Sequence, residues 1–193
     1  MNEQSPKDHP PLSRDEVEEL LEAPWREFAR SVLSGVDGWI ASGFGSGFAP
    51  IASGTVGSAV ALLPWLLLRE LPSWGYLTVL AVALGVGIWA AQRVIDRIHV
   101  QDPGVIVWDE FIGQWMALFL LPAGPGPFWA WVLAGFLLFR VFDVVKPWPV
   151  SWADKRVKGG LGTMLDDLIA GIYTFIVLQL AAWYIGAKFA DFS

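Results

Sequence analysis

The charged residues of this chain fall in clusters. Between the clusters lie four long stretches, 38–68, 71–92, 111–139 and 168–187, that carry no charged side chain at all. A helix needs roughly 20 apolar residues to cross a bilayer core, and 71–92 and 168–187 each meet that length. In hydrocarbon every backbone N–H and C=O has to be satisfied within the protein, so such stretches point to helices. Composition agrees. Hydrophobic residues make up 54% of the chain, with 12 Trp and 12 Phe, and charged residues only 17%, below the roughly 25% usual for soluble domains. The expected fold is all-α: a polytopic membrane helical bundle.

The other two uncharged stretches are interrupted. GFGSGFAPIASG (43–54) is too rich in glycine for a regular helix, which is expected only from about Val56 to Leu68. In 111–139 the turn sequence PAGPGP (122–127) cuts the apolar run into two pieces, each shorter than a normal span. This predicts a broken segment, a re-entrant or hairpin pair of helices that enters the membrane and returns to the same side.

The first 37 residues form a distinct acidic head, with nine acidic residues against four basic ones, and hold nearly all of the formal net charge of −6. Pro6, Pro10 and Pro11 predict disorder over 1–12, and Ser13 with Glu16 fits a capping box. Past Pro24, the residues Trp25, Phe28, Val32 and Leu33 recur at helical spacing. They describe an amphipathic helix lying either on the membrane surface or on the protein body. The remainder, 38–193, reads as a single membrane domain. The polar N-terminus has no basic-then-apolar opening, so no secretory signal peptide is expected.

Basic residues orient membrane helices. Arg140, Lys146, Lys155, Arg156 and Lys158 crowd one segment, Arg93 and Arg97 another, and four bases lie in the head. The turn at Arg69 and the tail at Lys188 carry one each. Head, linker 93–110 and segment 140–167 are all expected on the cytoplasmic side, which requires the broken segment to enter and leave by one face.

With that topology, Asp96, Asp102, Asp109, Glu110, Asp143, Asp154, Asp166 and Asp167 share one edge, at the ends of apolar segments. Burying an unpaired carboxylate is costly or shifts its pKa until it protonates, so VIVWDEFIGQW (105–115) needs a reason for its adjacent Asp109 and Glu110. Oxygen ligands of this kind suit a divalent cation, and a cation with Lys and Arg suits a phosphate. Each carboxylate also has a plainer role available. Thr163 with Asp166, and Ser151 with Asp154, have the spacing of capping boxes. Arg140 and Asp143 have the spacing of a helix-surface ion pair, Asp109 can cap a helix, and Asp102 before Pro103 can shape a turn. In GFGSGFAPIASGTVGS, Gly54 and Gly57 serve either to expose backbone N–H groups to a phosphate or to let helices approach closely.

Other chemistries are excluded by inventory. There is no Cys, and the only histidines are His9 and His99. The glycine-rich stretch fits neither the P-loop nor the dinucleotide fingerprint. An acidic head on a near-neutral body argues against nucleic acid as a partner. Metal-assisted attack by water remains, with ion or solute transport as the competing class. Transport expects acids near the middle of spans, whereas here they stand at the ends.

Three stretches together, GFGSGFAPIASGTVGS (43–58), DPGVIVWDEFIGQW (102–115) and FRVFDVVKPWPVSWADKRVKGGLGTMLDDLIAG (139–171), resemble the phosphatidylglycerophosphatase A family of bacterial lipid phosphatases. The likeness runs from about Trp39 to Gly186. It implies an all-helical fold in the bacterial inner membrane and Mg²⁺-dependent hydrolysis of the membrane phospholipid phosphatidylglycerophosphate. It carries the family's acidic residues onto Asp102, Asp109, Glu110, Asp143, Asp166 and Asp167; among them Asp109 and Asp167, with Glu110, are the metal ligands we expect. Arg140, Lys146 and Arg156, with Gly54 and Thr55, become the expected phosphate contacts.

Overall fold

A computed structural model of the chain describes residues 24–100, 103–122 and 127–190. The head before residue 24 and Asp102 lie outside the described residues, as do the disorder and the capping box expected in that head. The rest is helical: α1 (24–32), α2 (Val36–Ala41), α3 (Ser53–Leu68), α4 (Ser73–Ile98), α5 (Trp108–Ala117), α6 (Phe128–Val145), α7 (Val150–Arg156) and α8 (Gly159–Ala190). No strand occurs among the described residues. Helices α4, α6 and α8 are each long and apolar enough to cross a membrane. Their outward residues, among them Trp74, Val82, Leu133, Leu137, Leu180 and Trp183, are exposed and apolar, as lipid contact requires. The chain is a helical membrane bundle.

The helices form two hairpins and a final long helix. The α3–α4 hairpin turns at Arg69 and Glu70. The ring of Phe128, at the start of α6, stacks on Trp65 near the end of α3, with centroids 6.1 Å apart. The Arg69 guanidinium lies 4.1 Å over the same Phe128 ring, so both hairpin tips meet at one end of the bundle. At the other end, Ser53 Oγ at the start of α3 donates to the Gly104 carbonyl just before α5 (2.8 Å). The Gly160 N–H at the start of α8 donates to Gln92 in the last turns of α4 (2.9 Å). The broken segment therefore returns to the end it left, as the charge pattern required.

Its two arms differ from the expectation. The second arm does not stop at Phe139 but runs through Arg140 and Asp143 to Val145, giving an 18-residue helix of spanning length. Those two charges pair with each other, and Arg140 pairs also with Glu110, so they do not end the helix. It ends at Lys146, in the left-handed conformation with φ +48°, because Pro147 follows and proline disfavours a helical residue before it. The first arm, α5, is only 10 residues long, and Glu110, Phe111, Ile112, Gly113, Gln114 and Trp115 are all buried. It is a core helix enclosed by α3, α4, α6 and α8.

Close approach sets where α5 sits. A Cβ added at Gly171 of α8 would stand 2.4 Å from the Gly113 carbonyl oxygen of α5, and one added at Gly113 would stand 2.4 Å from the Phe139 ring. Small residues let helices in lipid touch backbone to backbone, and this crossing fixes α5 against α8. The amphipathic helix α1 packs on the body. Val32 is fully buried, and Arg97 of α4 donates to the Val32 carbonyl (3.1 Å) and to the Asp37 carboxylate.

Gly171→Ala is expected to lower stability by about 1–3 kcal/mol, because its Cβ would meet a backbone oxygen that cannot rotate away. Gly186, on the same helix, has open space around its missing Cβ, so Gly186→Ala is expected to leave stability unchanged or slightly raised. Thermal unfolding of the two full-length variants in detergent compares them directly.

Candidate active site

A cavity of about 360 Å³ opens at the end of the bundle away from the hairpin tips. Its walls include Ser53 and Gly54 of α3, Asp109 and Glu110 of α5, and Gly162, Thr163, Asp166 and Asp167 of α8. All three helices therefore offer their N-terminal ends to it, where unpaired backbone N–H groups and the helix dipole favour negative charge. Asp143, Lys146, Asp154, Lys155 and Lys158 supply the rest of its polar lining. The folding of α5 has placed two adjacent carboxylates, the half-buried Asp109 and the buried Glu110, where three helix dipoles partly compensate them.

Glu110 is 8% exposed. One of its oxygens, Oε2, accepts from the Ser58 hydroxyl (2.9 Å) and from Arg140 Nη1. Burial pushes its pKa above the ordinary carboxylate value, and Arg140 opposes that shift. The other oxygen explains Gly54: a Cβ there would sit 2.0 Å from Glu110 Oε1. Arg140 also pairs with Asp143 at 3.0 Å. One guanidinium thus ties a carboxylate of α5 to a carboxylate of α6. Asp109, beside them, accepts the Glu110 N–H through Oδ1 (2.9 Å).

Lys146 makes a parallel bridge. Its Nζ donates to Asp154 Oδ1 (2.6 Å) and Asp166 Oδ2 (2.7 Å), joining the ends of α6, α7 and α8. Burial disfavours its charge, but the two carboxylates outweigh that and hold its pKa above the ordinary lysine value. These contacts displace the two expected capping boxes. Helix α7 starts at Val150 and α8 at Gly159, so Ser151 and Thr163 stand inside helices, and the Thr163 hydroxyl turns back to the Gly159 carbonyl (3.2 Å). The spacing was present, but the bridging lysine took both carboxylates.

Asp166 Oδ1 and Asp167 Oδ2 are buried and have no hydrogen-bond partner, a condition that calls for a ligand or water. Among the described residues no three acidic or histidine side chains stand close enough to ligate one ion together. The set fits a hard cation held directly by one or two carboxylates with water completing its shell, which is the habit of magnesium.

The cavity gathers Asp109, Glu110, Asp143, Asp166, Asp167, Lys146 and Gly54 of the expected residues, with Arg140 bonded to two of them. Thr55 and Arg156 are exposed and outside its lining. Gly57 serves close approach, its missing Cβ lying 2.8 Å from Val107 Cβ. Sequence reasoning passed over Ser58, Lys155 and Lys158. Ser58 stands four residues after Gly54, hence on the same helix face. Lys155 stands one residue, about 100° of helix rotation, from the expected Arg156.

Residues 39–182 match the family model described as Phosphatidylglycerophosphatase A. The chain is 40% identical to the Escherichia coli K12 protein named Phosphatidylglycerophosphatase A, over 83% of this chain and 94% of that protein. It is 40% identical to the Haemophilus influenzae protein of the same name, over 72% of this chain and 84% of that one. A Bacteroides thetaiotaomicron protein named as a candidate phosphatidylinositol-3-phosphatase is 41% identical over 76% of this chain and 94% of its own length. No solved structure matches the chain.

Removing the guanidinium should be far worse than keeping a cation in its place. Arg140→Met strands Glu110 and Asp143 without a counter-charge, and breaking a buried pair from one side costs about 3–5 kcal/mol. Arg140→Lys should lose clearly less. Unfolding midpoints of the two variants in detergent check the order, and equal losses would contradict the bridging role.

Proposed function

Because the chain belongs to the phosphatidylglycerophosphatase A family, we propose that it hydrolyses phosphatidylglycerophosphate to phosphatidylglycerol and inorganic phosphate, the last step in making that lipid. The observation that carries this reading is the meeting of six carboxylates and three helix N-termini in one cavity at the edge of a membrane bundle. A lipid substrate can keep its acyl chains in the bilayer while its phosphate reaches such a cavity.

The chemistry needs water oxygen to bond to phosphorus as the ester P–O bond breaks, with a proton passing from the water to the departing alcohol. Phosphate monoester hydrolysis is among the slowest uncatalysed reactions, so the site has to supply roughly 20 kcal/mol or more. Asp109 and Asp167 are proposed to hold Mg²⁺ directly, with Glu110 beside them. Magnesium, when bound, supplies Lewis-acid polarisation of the phosphoryl oxygens and acidifies water. Arg140 keeps Glu110 and Asp143 in place, and Lys146 does the same for Asp154 and Asp166. The unpartnered Asp166 Oδ1 offers an acceptor for the proton that the attacking water gives up. The basic residues along this edge support a cytoplasmic orientation in a bacterial inner membrane.

A second reading keeps the reaction and changes the lipid. It rests on the Bacteroides thetaiotaomicron relative, which is named for a different lipid phosphate at the same level of identity. Phosphate release from a panel of lipid phosphates separates the two readings. Phosphatidylglycerophosphate is expected to be the preferred substrate, and excess EDTA is expected to stop the reaction. Full activity in EDTA would sink the metal-dependent mechanism, as would near-normal turnover by folded Asp109→Asn protein.

Orientation has its own test, since the chain has no Cys. A single cysteine at position 158 should react with an impermeant thiol reagent only from the cytoplasmic side. Labelling from the periplasmic side of intact cells would reverse the proposed topology.

A further inference from the structure

The cavity contains cations that its carboxylates do not use. Arg140 is committed to Glu110 and Asp143, and Lys146 to Asp154 and Asp166. Lys155 and Lys158 line the same cavity and are exposed. Neither forms an ion pair among the described residues, and Lys158 makes only a long contact of 3.5 Å to the Asp154 carbonyl.

Charge balance gives these two amines a purpose. Asp109, Glu110, Asp143, Asp154, Asp166 and Asp167 line the cavity, and the two bridging cations neutralise only part of them. A divalent ion would still leave the cavity negative. A phosphate monoester itself carries about −1.5 to −2 at neutral pH, so it would be repelled unless further positive charge met it. Lysine is a compact charge on a flexible stem, able to reach a phosphate that arrives from outside.

Depth in the membrane agrees. Trp148 and Trp152, on the same short segment as Lys155, are 77% and 50% exposed. Tryptophan is enriched at the headgroup level of membrane proteins, which favours placing the segment that carries the amines where lipid phosphates lie. Lys155 faces the cavity while its neighbour Arg156 does not, because adjacent helical residues diverge by about 100°.

We propose that Lys155 and Lys158 bind the phosphate group of the substrate, in the role that the family likeness gave to Arg140, Lys146 and Arg156. The proposal rests on the lipid-phosphatase reading of the site. It assigns Arg140 and Lys146 to the carboxylates instead.

The test uses the full-length protein in detergent with magnesium, comparing wild type, Lys155→Gln/Lys158→Gln and Lys155→Arg/Lys158→Arg. Arg93→Gln, which removes an exposed charge from α4, serves as the control for general surface charge. Inorganic phosphate should raise the unfolding temperature of wild type, the arginine variant and the control. The glutamine variant should unfold at the wild-type temperature without phosphate and lose the phosphate-induced rise. Its KM for phosphatidylglycerophosphate should increase by about ten-fold or more, the scale of a lost charge-assisted hydrogen bond, with kcat changed much less. An equal phosphate-induced rise in wild type and glutamine variant, no rise in wild type, or an unchanged KM would each overturn the proposal. If wild type released phosphate from no lipid, the lipid-phosphatase reading would fail, while the phosphate titration would still decide the role of the lysines.

Discussion

Arg140 is the point on which the site edge turns. Its guanidinium holds Glu110 of α5 and Asp143 of its own helix, and the Ser58 hydroxyl of α3 joins at the same Glu110 oxygen. Three helices are fixed by one planar cation. Arginine suits this because it stays charged at any relevant pH and presents several donors in a rigid fork. Gly54 belongs to the same unit, since only a residue without Cβ leaves room for Glu110 Oε1. A buried ion set of this kind is poor evidence for stability by itself, because apolar replacements often do as well. Its retention beside a carboxylate-lined cavity is better explained by the need to hold charges in place for a ligand.

Much of this was legible in the sequence because lipid imposes strict rules. Uncharged runs gave the helices, PAGPGP gave the break, and the clustering of bases gave a hairpin that returns to its starting side. The carboxylates of the edge were legible for the same reason, since charges in an apolar chain are few and stand out. What sequence could not give was the partner each charge would take. The capping boxes at Ser151 and Thr163 had correct spacing, yet Lys146 reaches Asp154 and Asp166 from another helix. Local pattern lost to a tertiary ion pair. The length of α6 was underestimated for a related reason: Arg140 and Asp143 looked like the end of an apolar segment, but their pairing lets the helix continue past them.

The exposed tryptophans and the buried ones do different work. Trp65 and Trp115 are enclosed, with Trp115 Nε1 donating to the Ala61 carbonyl (2.9 Å), and they glue α3 to the hairpin of α5 and α6. Trp74, Trp129 and Trp183 are exposed, and aromatic residues of this kind anchor at the membrane interface. The tryptophans thus divide into packing and anchoring, a division that composition alone does not contain.

The placement of charge also separates an enzyme from a transporter. A transporter that moves an ion through the bundle needs ionisable groups along the path, near the middle of its spans. Here the α5 acids stand in its first turn, those of α8 within its first turns, and Asp143 in the last turn of α6. Further along α8, Gly171 packs close against the Gly113 carbonyl of α5. A cavity lined by charges at one end of the bundle is suited to receive a headgroup and release it on the same side. The placement of the acids therefore favours chemistry at the membrane edge over passage across it.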